Sequence, residues 1–477
     1  MPIDFVDATA LAQAIRIQKI SCVEAFDASW KAIEEQNPKL GAVCFQSWEI
    51  GISQAKRLNS ELSKLTSDER AALEKTRPFF GVPSLMKDLA TAAIGLPSQM
   101  GSRAVNQGLG PVQWAFDSEL VARYRKAGLN LFGRTTSPEF GISASTEAKA
   151  YEFLGGPTRN PYSVDHSAGG SSGGAASAVA SRMVLIANAS DGAGSIRIPA
   201  SCCGLFGLKP SRGLMPAGPQ IGEAWGGLAT EHVLSLSVRD SEAMLRATMG
   251  IDVGAPYAQP VPLAATNKPL RIALCDTTFD GEPVHSEVAD AVRAVAKRCE
   301  ALGHIVEVAR PLVNTREVID AVVRLMACGT AMVVNRWGYQ AHIEALLEPA
   351  TQGAVALGRS TSAPQYLEIL SRLHRITREV AAFHQTYDVM LCPTLAEPPA
   401  LLGRFAMSNA DYLDYRLGPN GVWKYSPFTP LANATGQPSM SIPAGKSSVG
   451  LPIGAMLTGR FGEDFVVLGL AASLEGN

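Results

Sequence analysis

One serine follows a run of small residues, an arrangement suited to attack on a carbonyl carbon. The segment reads Ser190-Asp-Gly-Ala-Gly-Ser-Ile-Arg-Ile-Pro199. Small side chains at Gly192, Ala193 and Gly194 leave consecutive backbone N–H groups unobstructed just before Ser195. Such N–H groups can bind a developing oxyanion, and a serine at their end can attack the carbonyl carbon of the same substrate. A tight strand-to-helix turn with no catalytic role is the alternative.

A second cluster, Ser167-Ala-Gly-Gly-Ser-Ser-Gly-Gly174, consists of glycine and serine apart from Ala168, so its backbone can approach a ligand closely. A phosphate-binding loop needs a lysine after the glycines, and none follows here. A flexible linker does not fit between two strongly patterned segments. The nucleophile elbow of α/β-hydrolases matches Gly169-Gly-Ser-Ser-Gly173 but needs a buried strand before it. Residues 159–166 contain proline and charges, so we do not expect that strand.

A serine nucleophile needs a proton acceptor, and Lys87 is the best candidate. It follows the apolar run 81–86, so its amine is expected at a strand end in low-dielectric surroundings. Desolvation there favours the neutral, basic amine. A surface ion pair between Lys87 and Asp88 is the alternative. His166 is the histidine nearest to the glycine cluster and is the weaker candidate for the base.

Composition narrows the class of protein. The chain has 477 residues, 46% hydrophobic and 18% charged, which excludes a disordered protein. A net charge of −2 gives no bulk electrostatic reason to expect nucleic acid or an anionic membrane as a partner. The first ten residues carry acids where a secretory signal carries positive charge, and no apolar run approaches the ~18 residues of a membrane helix. We expect a cytoplasmic protein with reduced cysteines.

The elements that must position these residues alternate between helix and strand. Helices are predicted in the first 75 residues: one capped by Asp7, one that begins with a capping box of Ser21 and Glu24, and one over 53–75. From 79 to about 214 short strands alternate with helices and glycine turns, including a helix over 173–180 and a strand over 184–187, which predicts an α/β sheet. Residues 255–269 are rich in proline and alanine and are expected to be a connector. Strands and helices follow to residue 385, and strands return near the end of the chain.

Several motifs together resemble the amidase signature family of Ser–Ser–Lys hydrolases. The resemblance covers nearly the whole chain. The motifs that carry it are Gly81-Val-Pro-x3-Lys87-Asp88, Ser137-Pro-Glu-Phe-Gly141, Gly169-Gly-Ser-Ser-Gly-Gly174, Asp191-x-x-Gly-Ser195-Ile-Arg-x-Pro199, Gly204-Leu-Phe-Gly-Leu-Lys-Pro-Ser211, Cys392-Pro-Thr394 and Asn433-Ala-Thr-Gly-Gln-Pro438.

The resemblance implies a fold and an organisation. The fold would be a large mixed, twisted β-sheet flanked by α-helices on both sides. The chain would form one domain, residues 1–477. Its parts would be N-terminal helices over about 1–75, a signature core over 79–250, a smaller helical and strand subregion over 270–385, and a return to the sheet over 387–477.

The resemblance also implies roles for the residues. Ser195 would be the nucleophile, and Ser171, typically on a cis peptide, would pass its proton to neutral Lys87. The oxyanion would be held by four backbone N–H groups, those of Gly192, Ala193, Gly194 and Ser195. Three residues would support the loop without reacting: Ser172, Asp191 and Arg197. No metal or organic cofactor would be needed.

Two departures from the family pattern concern the pocket. Ala193 stands where glycine is common, which keeps the N–H donor but adds a methyl group that could narrow the pocket. Thr136 stands where many members have asparagine, so a substrate contact of that amide would be lost. Candidate pocket walls besides Thr136 are Met100, Trp225, Trp423 and Tyr425.

The predicted activity is hydrolysis of the C–N bond of uncharged carboxamides, anilides, cyclic amides and carbamates. Sequence segments around these motifs, such as Glu223-Ala-Trp-Gly-Gly-Leu228, resemble the branch of the family that contains nylon-oligomer cyclic-dimer hydrolases and aryl-acylamidases. An esterase on the same site, a glutamine-dependent amidotransferase subunit and an inactive binding protein are the alternatives. The expected partner is a small-molecule amide, and the chain is expected to be a monomer or a homodimer.

Overall fold

A computed structural model describes residues 4–261 and 268–475. Eleven strands in it form one mixed sheet, in the order β1-β3-β2-β6-β8-β7-β12-β13-β11-β9-β10, and β4 and β5 form a separate ribbon. The strands are β1 (Val43–Gln46), β2 (Pro83–Lys87), β3 (Asn130–Thr135), β4 (Arg159–Asn160), β5 (Ser163–Ser167), β6 (Ile186–Asp191), β7 (Phe206–Lys209), β8 (Thr230–Ser235), β9 (Arg271–Leu274), β10 (Ile305–Val308), β11 (Val389–Pro393), β12 (Ser439–Lys446) and β13 (Pro452–Gly459).

Helices flank this sheet and connect its strands. The α-helices are α1 (Ala8–Arg16), α2 (Cys22–Leu40), α3 (Trp48–Lys64), α4 (Ser67–Thr76), α5 (Glu119–Lys126), α6 (Gly173–Ala180), α7 (Arg197–Cys203), α8 (Val238–Thr248), α9 (Ser286–Ala301), α10 (Thr315–Asn335), α11 (Ala341–Glu344), α12 (Pro349–Ser360), α13 (Ala363–Phe383), α14 (Tyr412–Leu417), α15 (Val422–Tyr425), α16 (Thr429–Thr435) and α17 (Asp464–Glu475). Shorter helical turns lie at Ala104–Leu109, Glu139–Gly141 and Lys149–Leu154.

The sheet is covered on both faces. Successive side chains of a strand point to opposite faces. On β11, Met390 and Cys392 belong to the larger apolar core, whereas Val389 and Leu391 belong to a second core that α8, α9 and α17 help to form. The predicted α/β class, with a large mixed sheet flanked by helices, is confirmed.

Strand direction places three strands of the site side by side. β2 runs parallel to both β3 and β6, while β6 and β8 are antiparallel. Parallel neighbours end at the same edge of a sheet. The residues after β2, β3 and β6 therefore meet at one edge, where Lys87 and Asp191 lie at the strand ends.

Local signals located the helix starts well. The Asp7 carboxylate accepts a hydrogen bond from Ala10 N, and Ser21 and Glu24 form the predicted capping box. The predicted helix over 173–180 is α6. The single helix predicted over 53–75 is wrong, because the chain forms α3 and α4 there. Thr66 makes a capping box with Glu69 that starts a new helix.

Two strand predictions need correction. The strand predicted over 184–187 begins later and continues to Asp191 as β6, so its polar second half was missed. Residues 159–166 do contain strand, as β4 and most of β5, but this ribbon stands outside the eleven-stranded sheet. It is therefore not the buried strand that a nucleophile elbow requires. Part of the predicted connector, 262–267, lies outside the described residues.

Among the described residues, every helix is too short or too polar to cross a lipid bilayer.

Candidate active site

Lys87 is the last residue of β2 and is 1% exposed. Its Nζ lies 2.7 Å from Ser171 Oγ, 3.0 Å from Ser190 Oγ and 3.4 Å from the Ser190 carbonyl oxygen. Burial lowers the pKa of this amine to about 7, although the charges of Glu231 and Asp191 act in the opposite direction. A lysine with that pKa can accept a proton near neutral pH.

The backbone on both sides of the Lys87 side chain is fixed by buried polar groups. Lys87 N donates to Asn188 Oδ1 at 3.1 Å, and its carbonyl oxygen accepts from Arg134 Nη1 at 2.8 Å. The Asn188 amide in turn donates to Glu231 Oε2 at 3.0 Å. Sequence reasoning missed these residues and Ser190. The signal available was their position: polar residues inside strands that are otherwise buried need partners.

Ser171 lies in the glycine-rich turn just before α6 and is 2% exposed. The Gly170–Ser171 peptide is cis. A Cβ atom on Gly170 would lie 2.6 Å from Ser145 N and 2.7 Å from the Ser143 carbonyl oxygen, so only glycine fits there. This close approach of two backbone segments holds Ser171 against Lys87.

Ser195 lies between β6 and α7 and is 8% exposed. Its carbonyl oxygen accepts a hydrogen bond from Ser172 N at 3.2 Å, which ties the two serine segments together. Gly194 adopts φ +128°, and a Cβ atom there would lie 2.3 Å from Thr429 Oγ1. Within residues 4–261 and 268–475 no hydrogen bond joins Ser195 Oγ to Ser171 Oγ.

The predicted set of oxyanion donors needs one correction. Gly194 N donates to Asp191 Oδ1 at 2.6 Å, so this N–H group is already bonded to a carboxylate. In the described part of the chain, the N–H groups of Gly192, Ala193 and Ser195 have no acceptor. These three groups remain available to a substrate oxygen.

Asp191 holds this segment in place from beneath. It pairs with Arg197 through two contacts, Nε to Oδ2 at 2.9 Å and Nη2 to Oδ1 at 3.0 Å, and both side chains are fully buried. Burial raises the pKa of Asp191, but the Arg197 guanidinium and the Asn433 amide outweigh it and hold the pKa well below its usual range. Asn433 Nδ2 also donates to the Asp191 carbonyl oxygen at 3.1 Å.

Ser172 supports the surroundings of Lys87 more directly than the Asp191–Arg197 ion pair does. Its Oγ donates to the Ser190 carbonyl oxygen at 3.3 Å and accepts from Ser190 N at 3.4 Å. This exchange fixes the backbone of Ser190, whose hydroxyl contacts Lys87. Ser172 therefore acts on the position of the lysine partner.

A small pocket opens beside Ser195. Its wall includes Gly170, Ala193 and Trp423, so one of the predicted pocket residues lines it, and the Ala193 methyl group takes up part of its space. The other wall residues are Gly141, Ser143, Ala144, Ile198, Ile319, Met326, Arg416, Val422, Ser426 and Pro430.

Four predicted pocket residues lie elsewhere. Tyr425 is buried in the core, with its hydroxyl 3.3 Å from Cys202 Sγ. Thr136 is buried, and its Oγ1 lies 2.6 Å from Thr158 Oγ1, so its hydroxyl group forms a hydrogen bond within the protein. Met100 and Trp225 are not among the residues that line the pocket, and the Trp225 ring packs against Gly192.

His166 lies in the β5 ribbon, where its Nδ1 is 2.8 Å from Ser163 Oγ. The structure thus brings Lys87 and Ser171 into contact and places Ser195 on a segment bonded to Ser172, while the histidine occupies a separate element.

Comparison with known proteins agrees with this geometry. The sequence profile of the Amidase family matches residues 24–468. The chain belongs to the amidase family. The amidase is 30% identical over 494 aligned positions to the 6-aminohexanoate-cyclic-dimer hydrolase of Paenarthrobacter ureafaciens, covering 98% of this chain and 94% of that one.

Solved structures show the same relationship. A 6-aminohexanoate cyclic dimer hydrolase complexed with substrate matches the amidase with a TM-score of 0.87 at 28% identity, covering 99% of this chain and 97% of that one. A bacterial aryl acylamidase of the amidase signature family matches with a TM-score of 0.86 at 26% identity, covering 98% and 96%. The resemblance predicted from the motifs is confirmed, and so is hydrolysis of non-peptide amide C–N bonds as the activity of the amidase.

Proposed function

We propose that the amidase hydrolyses small amides through an acyl-enzyme formed on Ser195, with Ser171 and Lys87 as its proton relay. The observation that carries this assignment is the contact of 2.7 Å between Lys87 Nζ and Ser171 Oγ, in a place where burial lowers the pKa of the amine to about 7. A neutral amine there can accept a proton that a serine hydroxyl releases.

In the first half of the reaction, Ser195 Oγ forms a bond to the amide carbonyl carbon. Its proton passes to Ser171 Oγ as the proton of Ser171 passes to Lys87 Nζ. The negative charge that develops on the carbonyl oxygen is stabilised by the free N–H groups of Gly192, Ala193 and Ser195. The C–N bond then breaks, and the departing amine takes a proton from Ser171, which regains one from Lys87, so that the lysine is neutral again.

In the second half, a water molecule attacks the ester bond between the acyl group and Ser195. Its proton follows the same path through Ser171 to Lys87. The second tetrahedral intermediate collapses, the carboxylic acid leaves, and Ser195 Oγ regains its proton. The closed pairing of Asp191 with Arg197 keeps the N–H segment fixed through both halves, so little reorganisation is needed when charge develops.

The substrate class follows from the pocket and the relatives. The pocket beside Ser195 is small, and most of the residues in its wall are apolar. Two relatives act on a cyclic amide dimer and on aryl acylamides according to their names. We include small carboxamides, anilides and cyclic amides among the substrates of this chain.

The remaining expectations belong to the same proposal. We propose a single domain, supported by one sheet that takes strands from both ends of the described chain. We also propose that the enzyme is cytoplasmic and acts on its small-molecule substrate as a monomer or a homodimer.

The test is a panel of p-nitroanilide, p-nitrophenyl ester, carbamate and free carboxamide substrates. Wild type should turn over the amides, and Ser195→Ala should lose about four orders of magnitude in kcat or more. Ser181→Ala is the matched control, since Ser181 stands at the far end of α6 and donates to the Ser177 carbonyl oxygen. Turnover by Ser195→Ala within tenfold of wild type would remove Ser195 as the nucleophile.

A further inference from the structure

Arg416 brings a guanidinium group into the wall of the pocket that contains Ser195. It lies on α14 and is 7% exposed. The neighbouring wall is apolar and is formed by Ile198, Ile319, Met326, Val422, Trp423 and Pro430. A cation in such surroundings is costly unless a partner neutralises it.

The protein supplies Arg416 with almost no partner. Its Nη1 donates to the Ile142 carbonyl oxygen at 3.1 Å. Its Nε is buried without a hydrogen bond, and among residues 4–261 and 268–475 neither Nη2 nor any other atom of this side chain forms an ion pair. Two other buried arginines near the site have their donors engaged: Arg197 binds both carboxylate oxygens of Asp191, and Arg134 donates to the carbonyl oxygens of Lys87, Thr91 and Leu96.

The unsatisfied donors identify the chemistry of a ligand. A guanidinium group presents parallel N–H donors that match the two oxygens of a carboxylate, and such bonds are among the stronger ones in proteins. Because Arg416 and Ser195 line one pocket, a ligand whose amide reaches Ser195 can also reach Arg416.

We propose that Arg416 is a specificity-determining residue that binds a carboxylate on the substrate. The preferred substrates are amides with a free carboxylate group separated from the scissile bond by an apolar spacer. This inference rests on the proposed function, since it takes Ser195 as the point of attack. It differs from the uncharged substrates that the sequence predicts, because the sequence does not show which arginines lack a partner.

Matched substrate pairs test the proposal. Glutaryl-p-nitroanilide and valeryl-p-nitroanilide differ by a carboxylate on the acyl side, and 4-acetamidobenzoate and acetanilide differ by one on the amine side. Because hydrogen bonds between charged groups are among the stronger ones in proteins, kcat/KM should favour the charged member by tenfold or more in at least one pair. Wild type that favours the neutral member of both pairs, or shows no preference, overturns the proposal.

Variants assign the preference to Arg416. In Arg416→Met the ratio between charged and neutral substrate should fall at least tenfold. Arg404→Met is the matched control, because Arg404 is already paired with Glu397 at 2.6 Å, and its ratio should equal that of wild type. An Arg416→Met enzyme that keeps the wild-type ratio overturns the proposal. Should that variant not fold, Arg416→Gln, which can still donate to the Ile142 carbonyl oxygen, is judged by the same criterion.

A binding measurement separates this proposal from the catalytic one. Calorimetry on Ser195→Ala measures binding without turnover. The two ligands are N-butylglutaramate and N-butylvaleramide, amides whose alkylamine leaving group is unreactive. Tenfold tighter binding of the carboxylate supports Arg416 even if Ser195 fails as the nucleophile. Equal binding overturns the carboxylate site and leaves the role of Ser195 unaffected.

Discussion

Lys87 Nζ and Ser171 Oγ lie 2.7 Å apart, and neither side chain has more than 2% of its surface exposed. The contact joins the end of β2 to the glycine-rich turn before α6. Burial has two consequences for this contact. It lowers the pKa of the amine to about 7, and it keeps water from taking the place of Ser171 as the hydrogen-bond partner.

The first prediction concerns the dependence of the rate on pH. Only the neutral Lys87 amine can accept a proton, so activity should be low below its pKa and rise as the pH passes through it. With a pKa of about 7, kcat/KM should reach half its maximum near pH 7 and level off above about pH 8. The measurement is a pH profile of p-nitroanilide hydrolysis. A rate still climbing at about pH 10, where an ordinary lysine titrates, would contradict it.

Substitution of Lys87 gives a second readout. Lys87→Ala should lower kcat by about two to four orders of magnitude, the usual contribution of a general base. The remaining activity should no longer follow a titration near pH 7. Full activity of Lys87→Ala at neutral pH would exclude Lys87 as the base.

The second prediction compares two adjacent serines. Ser171→Ala removes the hydroxyl that lies 2.7 Å from Lys87 Nζ and carries the proposed relay, so kcat should fall by about three orders of magnitude. Ser172→Ala removes two long hydrogen bonds to the Ser190 backbone, of 3.3 and 3.4 Å, and should lower kcat by less than about tenfold. Single-turnover kinetics on both proteins provide the comparison. Equal losses in the two variants would argue against a relay through Ser171.

Much of the site could be predicted from the sequence because its residues occur in local motifs. Lys87 follows an apolar run and Ser195 follows a run of small residues, so local pattern indicated both, whereas the role of Ser171 came from the resemblance to the family. Arg416 carries no such local signal. Arg416 matters because no carboxylate is among the described residues that line its pocket, and those residues come from distant parts of the chain. The burial of an arginine and its lack of an ion pair are properties of the fold, so the sequence does not show them.

The same distinction explains the pocket residues. Trp423 and Tyr425 stand two positions apart on α15, yet Trp423 lines the pocket and Tyr425 is buried in the core. From the sequence, both residues are plausible aromatic walls of the pocket. Only the direction of the helix relative to Ser195 separates them, and that direction is set by tertiary packing.

The third prediction concerns stability. Asp191→Asn removes a charge from a fully buried pair and leaves Arg197 without its counter-ion, so the free energy of unfolding should fall by about 3–5 kcal/mol. Glu242→Gln is the matched control: its partner Arg246 is 57% exposed, and the loss should stay below about 1 kcal/mol. Urea denaturation measures both. A similar small loss in the two variants would contradict the prediction.

Asp191 also predicts how stability depends on pH. Its pKa is held well below the ordinary value in the folded protein, whereas in the unfolded chain it titrates near about 3.9. The stabilisation from its charge is therefore complete above about pH 5 and is lost as the pH falls towards the folded pKa. Between about pH 5 and 3, wild type should lose more stability than Asp191→Asn. Parallel losses would indicate that other carboxylates dominate.

The last prediction tests the oxyanion segment through its packing. A Cβ atom on Gly192 would lie 2.5 Å from two ring atoms of Trp225, and the opposite edge of that ring is confined by Gly329, where a Cβ atom would lie 2.2 Å away. Because the ring is packed between the two glycines, we expect the backbone that carries the free N–H groups to move in Gly192→Ala. Loss of one oxyanion donor typically lowers kcat by a factor of about 10²–10³. In Gly192→Ala, kcat should fall by nearly that factor, while the fraction of folded protein stays the same as in wild type. The double variant Gly192→Ala/Trp225→Ala should recover at least part of the rate, because the obstructing ring is gone. If Gly192→Ala keeps wild-type kcat, or if the double variant gains nothing over it in the same p-nitroanilide assay, the position of this segment does not control the reaction.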